Sequence, residues 1–167
     1  MRERVRRHPL IDGGGQERGH RSGTLNVPGI VGMGEALRLA RLECDQDHAR
    51  LESLRDDLES TLECAIPGLR INSRKAERLP QTSNITFPCV DAERLLLAIR
   101  TLAVSTGSAC ASRTSTPSSV LAAMGLSAAE ARRTLRISLG RPTTAHEIDA
   151  AKTTIVRAMH ELGAVVA

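Results

Sequence analysis

Apolar residues recur at steps of three and four residues over a long stretch that begins after Pro28, as they do along one face of an amphipathic α-helix. The series consists of Ile30, Met33, Leu37, Ala40, Cys44, Leu51, Leu54, Leu58 and Leu62. This spacing predicts one helix up to Ala65, on the order of 50 Å long at 1.5 Å per residue. Pro67 and Gly68 end it, because neither residue suits a helix interior. A helix of this length is typical of a bridge between two packed units.

Shorter elements follow this helix. Residues 82–87 alternate between apolar and polar positions, which predicts a strand with Ser83, Ile85 and Phe87 on one face. The other predicted strands are residues 69–72, 102–105 and 135–139. Four helices are predicted between and after the strands, beginning at Asp91, at Pro117, at Ser127 with Glu130, and at Thr144 with Glu147. The last two pairs have the spacing of capping boxes, and the mixture of elements predicts an α/β fold.

Ahead of the long helix the pattern is different. Residues 5–11 are a short piece of alternating apolar positions, and residues 12–24 form a glycine-rich loop. The chain has 167 residues, of which 41% are hydrophobic, so it is long enough to bury a core. No apolar run is long enough to cross a bilayer and no secretory signal follows the first arginines, so we expect a soluble, cytoplasmic protein that does not bind a membrane.

Composition excludes several other classes of function. The formal net charge is +4, but the arginines are interleaved with acidic residues and Phe87 is the only aromatic residue, so no platform for nucleic-acid bases is present. The four cysteines lie far apart without a CxxC pair, and the sequence therefore indicates neither a metal site nor a disulfide framework. Cys44, Cys64 and Cys89 fall in or beside predicted elements, and we expect them to be structural.

Four motifs, taken together, resemble a known family. They are GGGQERGHRSGT at residues 13–24, IVGMGEA at 30–36, LAVSTGSACAS at 102–112 and LRISLGR at 135–141. Their order resembles that of cysteine desulfurases of the class with a long cysteine loop, and the resemblance covers nearly the whole chain. It implies a homodimeric enzyme of the aspartate-aminotransferase fold that uses pyridoxal 5′-phosphate (PLP). Such an enzyme converts L-cysteine to L-alanine and leaves a persulfide on its own cysteine, for transfer to an iron–sulfur scaffold or another acceptor.

The resemblance implies roles for three residues. Cys110 is the nucleophile that accepts the sulfur, since a thiolate must attack the substrate and later reach an acceptor protein. We expect its Gly/Ser/Ala/Thr-rich loop, residues 107–116, to be flexible because small side chains make few packing contacts. Arg136 binds the carboxylate of cysteine through two parallel hydrogen bonds, which a planar guanidinium can donate. Thr24 matches a threonine that contacts the phosphate of the PLP bound in the partner subunit, which requires a dimer.

The family also depends on a lysine that binds PLP covalently, on a histidine over the PLP ring and on an aspartate at its pyridine nitrogen, all of which lie upstream of the glycine-rich motif. The two lysines here, Lys75 and Lys152, are not in such a context. The chain therefore matches the C-terminal part of the fold. Residues 1–28 correspond to the end of the large domain, 29–66 to the bridging helix and 67–167 to the small α+β domain. We expect the isolated chain to be inactive, and to be poorly soluble or to oligomerise through its exposed apolar face.

Three other functions fit the same residues. The chain could be a persulfide carrier that receives sulfur on Cys110 from a separate donor and performs no PLP chemistry. It could belong to a related class V aminotransferase, which does not need this cysteine. It could also be a structural subunit, which would tolerate replacement of both Cys110 and Arg136.

Overall fold

The computed structural model describes residues 8–106 and 118–163. The described elements, in chain order, are α1 (Gln16–Gly19), α2 (Val27–Ala65), β1 (Arg70–Ile71), β2 (Thr82–Thr86), α3 (Ala92–Ala98), β3 (Ser105–Thr106), α4 (Ser119–Ala123), α5 (Ala128–Arg132), β4 (Thr134–Ser138) and α6 (Ala145–Glu161). Helices and strands are mixed along the chain, and the predicted α/β class is confirmed. The chain divides into two compact units, and the division falls within α2, between Glu43 and Cys44.

Helix α2 confirms the prediction from apolar spacing. It begins one residue before Pro28, a position that proline tolerates because the first helical N–H groups have no partner within the helix. The side chain of Asn26 accepts a hydrogen bond of 3.1 Å from the backbone N–H of Gly29. The helix ends at Ala65, and Gly68 then takes a φ of +83°, which favours glycine. Among the described residues, no helix is long and apolar enough to span a membrane.

The first unit contains the glycine-rich loop and the first half of α2. The loop closes on Ser22, which is buried and whose hydroxyl donates to the carbonyl of Gly14 at 2.7 Å. Within the loop, α1 is a short turn with positive φ at Glu17 and Arg18 rather than a regular helix. Large apolar side chains are exposed throughout this unit; they are Leu10, Ile11, Val27, Ile30, Val31, Met33, Leu37 and Leu42.

The second unit is built on an antiparallel sheet of four strands in the order β1-β2-β4-β3. One face of the sheet is apolar and the other polar, because side chains alternate along each strand. The apolar face packs against the second half of α2 and against α6; the core includes Leu58, Leu62, Ile85, Phe87, Leu135, Ile155 and Met159. The predicted inward face of β2 is confirmed, since Ser83, Ile85 and Phe87 are all buried.

Both predicted capping boxes are present. Ser127 and Glu130 cap α5 reciprocally, and Thr144 and Glu147 cap α6 in the same way. Asp91 occupies the N-cap position of α3 as predicted, but its side chain makes no capping hydrogen bond.

Three local predictions were wrong. Strand β3 begins at Ser105 rather than 102, because backbone hydrogen bonds from Leu102 to Ile99 and from Val104 to Leu102 form turns before it. Helix α4 begins at Ser119 with Ser118 as its N-cap, two residues later than the predicted start. The three cysteines expected to be structural are exposed, since those in α2 lie on its outward face and Cys89 lies in a loop; they are Cys44, Cys64 and Cys89.

Candidate functional site

Arg136 lies on the polar face of the sheet, near its centre. Its neighbours along β4, Leu135 and Ile137, are buried in the core, so the intervening side chain points to the opposite face. Arg136 is paired with Asn84 of β2 on one side and with Ser105 of β3 on the other. The register therefore places the exposed side chain of Arg136 between two polar residues.

A cavity of about 310 Å³ opens beside Arg136 and is called the Arg136 cleft here. Leu79, Val120 and Met124 give it apolar walls, while polar side chains from β2 and β4 line its floor. Arg136 makes no hydrogen bond or ion pair with any other residue that the structure describes, although the other arginine of the cleft does. A free guanidinium in a partly apolar cleft can bind a carboxylate through two parallel hydrogen bonds.

The second arginine of the cleft, Arg78, is neutralised by a buried carboxylate. Its two terminal nitrogens donate to the two oxygens of Glu59 at 2.6 and 2.7 Å, and Glu59 is 1% exposed. The hydroxyl of Ser83 on β2 also donates to Glu59, at 2.6 Å. The hydrogen bonds that Arg78 donates to Glu59 raise the pKa of Arg78 above its ordinary value. An incoming anion therefore meets its uncompensated positive charge at Arg136 rather than at Arg78.

A chain of polar side chains crosses the same face of the sheet. The amide nitrogen of Asn72 donates to Oδ1 of Asn84 at 2.8 Å and to Oγ1 of Thr86 at 2.9 Å. The Thr86 hydroxyl lies 2.8 Å from that of Thr134, which donates to the carbonyl of Glu130 at 2.7 Å. Sequence reasoning did not identify this chain, although alternating polar residues on β2 and β4 were its visible signal.

Thr24, the candidate phosphate contact, belongs to the first unit. It is exposed and follows Gly23, whose φ of +85° brings the backbone into the left-handed region. Its hydroxyl makes no hydrogen bond with another described residue. An available hydroxyl in a glycine-rich loop that is anchored by Ser22 fits a phosphate group.

Neither lysine of the chain fits the covalent PLP contact. Lys152 of α6 donates hydrogen bonds to Asp57 of α2 and to Asp149. Burial, the largest influence, lowers the pKa of Lys152, but the bonds and charges of Asp57 and Asp149 together raise it above its ordinary value. Lys75 is exposed in the turn that follows β1. The described residues therefore fit the phosphate end of PLP and not its covalent attachment.

Cys110, the candidate nucleophile, lies outside the described residues, and so does the predicted flexible loop around it. The described residues that flank this segment border the candidate site. Thr106 on β3 is paired with Leu135, next to Arg136, and Ser118 lines the Arg136 cleft. Within residues 8–106 and 118–163, no group of three or more His, Cys, Asp or Glu side chains is placed to hold a metal ion.

Comparison with known proteins identifies the family and its relatives. The family model "Aminotransferase class-V" matches residues 7–151. Cysteine desulfurase IscS of Anaeromyxobacter sp. (strain K) is 49% identical over 146 residues, which are 87% of this chain and 36% of that protein. The chain thus spans little more than a third of the length of this curated relative.

Two solved structures are similar to the fold. A NifS-like protein from Rickettsia africae superposes with a TM-score of 0.75 at 34% identity, over 95% of this chain and 40% of that one. A structure of SspA in complex with cysteine superposes with a TM-score of 0.55 at 36% identity, over 82% of this chain and 37% of that one. Because the family model covers most of the sequence and the folds agree, the chain belongs to the class-V aminotransferase family.

Proposed function

We propose that the chain is the small-domain portion of a PLP-dependent cysteine desulfurase. The observation that carries this proposal is the unpaired guanidinium of Arg136 in a partly apolar cleft, which suits the carboxylate of a small amino acid. The names of the relatives support it: one is a cysteine desulfurase, and one solved neighbour is a complex with cysteine. Arg136 then fixes the carboxylate and orients the thiol end of the substrate, and Cys110 is the acceptor.

The sulfur transfer needs no external oxidant. When bound, PLP withdraws electrons from the substrate carbons, which allows the bond between carbon and sulfur to break. The thiolate of Cys110 forms a new S–S bond with the substrate sulfur, and the electron pair of the broken C–S bond stays with the carbon, which takes up a proton. The products are L-alanine and a persulfide on Cys110, so one sulfur atom moves and the oxidation states balance.

Thr24 and the acceptor complete the proposal. The hydroxyl of Thr24 contacts the phosphate of PLP in a homodimer, since it is exposed and has no other described partner. The persulfide is then passed to a protein acceptor such as an iron–sulfur scaffold, in the cytoplasm.

The test uses a fusion, because the chain spans only part of its relatives. The part of the Anaeromyxobacter relative that this chain does not match is placed ahead of Met1, and the fusion is loaded with PLP and given L-cysteine. We expect L-alanine to form and mass spectrometry to find one extra sulfur atom on Cys110. Cys110→Ala abolishes both, whereas Cys64→Ala, which removes an exposed thiol of α2, leaves them unchanged. Sulfur release that persists in Cys110→Ala contradicts the proposal and indicates a related aminotransferase.

A second candidate is a persulfide carrier without PLP chemistry, which the engagement of Lys152 by two aspartates favours. In that case the full chain alone acquires a persulfide on Cys110 when a separate sulfurtransferase supplies it, and PLP makes no difference. Labelling that requires both PLP and L-cysteine in the fusion excludes the carrier.

A further inference from the structure

A row of four polar residues crosses the sheet through Arg136. The register places Asn84 opposite Arg136 and Arg136 opposite Ser105, and the backbone N–H of Asn72 donates to the carbonyl of Asn84 at 2.8 Å. Side chains directly opposite each other in antiparallel strands have Cβ atoms about 5 Å apart. Asn84 is therefore the side chain of β2 that is nearest to the guanidinium, and both residues line the same cleft.

A series of hydrogen bonds links Glu130, Thr134, Thr86, Asn72 and Asn84. The Glu130 end determines which group donates in each of them. The carbonyl of Glu130 can only accept, so the Thr134 hydroxyl uses its single hydrogen there. In the contact between Thr134 and Thr86, the hydrogen must then come from Thr86. Because its only hydrogen is used, Thr86 must accept from Asn72.

The last link orients the amide of Asn84. The group of Asn72 that meets Thr86 must be its NH₂, and the second hydrogen of this NH₂ meets Asn84. Asn84 therefore has to present its oxygen to Asn72. Its own NH₂ is turned the other way, and it has no acceptor among the described residues. Asn84 and Arg136 thus both line the cleft with N–H donors that no described residue uses, and the oxygen of Asn84 is already engaged by Asn72.

We infer that Asn84 is a second binding residue for the carboxylate that Arg136 holds. The series of hydrogen bonds from Glu130 to Asn72 orients the amide of Asn84 so that its NH₂ can donate to this carboxylate. The inference rests on the proposed function, since it assumes a carboxylate ligand at Arg136. An amide N–H beside a guanidinium gives the anion a third donor and fixes its rotation, whereas a neutral amide in the ligand would present its own N–H groups to donors. The site therefore selects an α-carboxylate over an α-carboxamide.

The first experiment needs no substitution. The ¹⁵N-labelled full chain is titrated with L-alanine and, separately, with L-alaninamide, which replaces the carboxylate by a neutral amide. We expect L-alanine to shift the side-chain signals of both Arg136 and Asn84, and L-alaninamide to shift neither. Shifts at Arg136 without Asn84 overturn this inference and leave the proposed function standing. The absence of a shift at Arg136 overturns its carboxylate role and this inference with it.

Variants then separate the donor from the overall charge. Asn84→Asp keeps the shape and still accepts from Asn72, but it cannot donate to the cleft, and we expect L-alanine to bind at least tenfold more weakly. Asn26→Asp makes the same change of charge in the first unit and should leave the affinity unchanged. Equal affinities for the two variants contradict the role of Asn84.

Thr86→Val tests whether the series of hydrogen bonds orients Asn84. It does not alter the lining of the cleft, because Thr86 is not one of the lining residues. Removing this hydroxyl leaves Asn72 and Asn84 free to exchange oxygen and nitrogen positions. We expect the preference for L-alanine over L-alaninamide to fall severalfold while the fold is retained, as amide signals of the core will show. An unchanged preference for L-alanine over L-alaninamide shows that the series of hydrogen bonds does not orient Asn84.

Discussion

The two halves of α2 have the same apolar spacing and opposite surroundings. In the half that belongs to the second unit, Leu58 and Leu62 are completely buried against the sheet. In the half that belongs to the first unit, Leu37 is 65% exposed and Met33 is 61% exposed. The comparison shows that periodicity predicts a helix and its apolar face, whereas the energy obtained from that face depends on what covers it.

The largest difference is expected when one leucine in each half is replaced by alanine and the free energies of unfolding are compared. Leu58→Ala leaves a cavity in a close-packed core and should lower the free energy of unfolding by about 4 kcal/mol. Leu37→Ala removes exposed surface and should change it by less than about 0.5 kcal/mol. Urea unfolding of the full chain measures both values. Similar losses would mean that the exposed half is covered in solution.

Carboxylates in the two halves should differ almost as much. Glu59→Gln removes the buried charge that accepts two hydrogen bonds from Arg78 and leaves that cation with only the longer contact to Asp56, at 3.7 Å, at a cost of about 3 kcal/mol. Glu35 pairs with Arg38 on the exposed half, at 2.7 Å, where water screens the pair. Glu35→Gln should therefore leave the unfolding midpoint unchanged. If the two variants behave alike, burial does not set the strength of these pairs.

A smaller effect is expected where the second unit receives a helix cap. Thr144→Ala removes the hydroxyl that accepts from the backbone of Glu147 and should destabilise the unit by about 1 kcal/mol. Thr153→Ala changes an exposed threonine within the same helix, α6, and should be neutral or slightly stabilising because alanine favours helix interiors. Thermal unfolding of both variants tests this difference, which disappears if the cap is unimportant.

The smallest expected effect is the pH dependence of stability that Glu147 causes. Backbone and then side-chain hydrogen bonds from Thr144 lower the pKa of Glu147 below the ordinary value of 4.5. A carboxyl group with a lowered pKa in the folded state stabilises the fold above the unfolded value, and this contribution is lost as the pH falls through the lowered value. The difference in unfolding midpoint between the wild type and Glu147→Gln should therefore shrink on acidification. A difference that does not change with pH would exclude the charged cap.

Predictions succeeded where both partners lie close in sequence. The pairs Ser127 with Glu130 and Thr144 with Glu147 are three residues apart, so local spacing reveals the capping boxes. Arg78 and Glu59 are 19 residues apart, and their pairing depends on how the loop after β1 returns to α2. Sequence spacing contains no information about that return.

The candidate site shows the same limit. The resemblance identified Arg136, and the alternation of β4 explains why its side chain leaves the core. Asn84 was not identified, because its relation to Arg136 arises only from the pairing of β2 with β4, which is 52 residues away in register. The exposure of Cys44 was missed for a related reason, since membership of a helix does not determine which face is covered.

The hydrogen bonds from Glu130 to Asn84 have one donor–acceptor order, and this order can only reverse in all of them at once. An isolated asparagine amide can rotate by half a turn at little cost, but here the rotation of Asn84 requires every hydrogen in the chain to reverse together. The reversal would leave the Glu130 carbonyl without its donor. A substitution that shifts α5 should therefore change which ligands the cleft accepts, although α5 does not line the cleft.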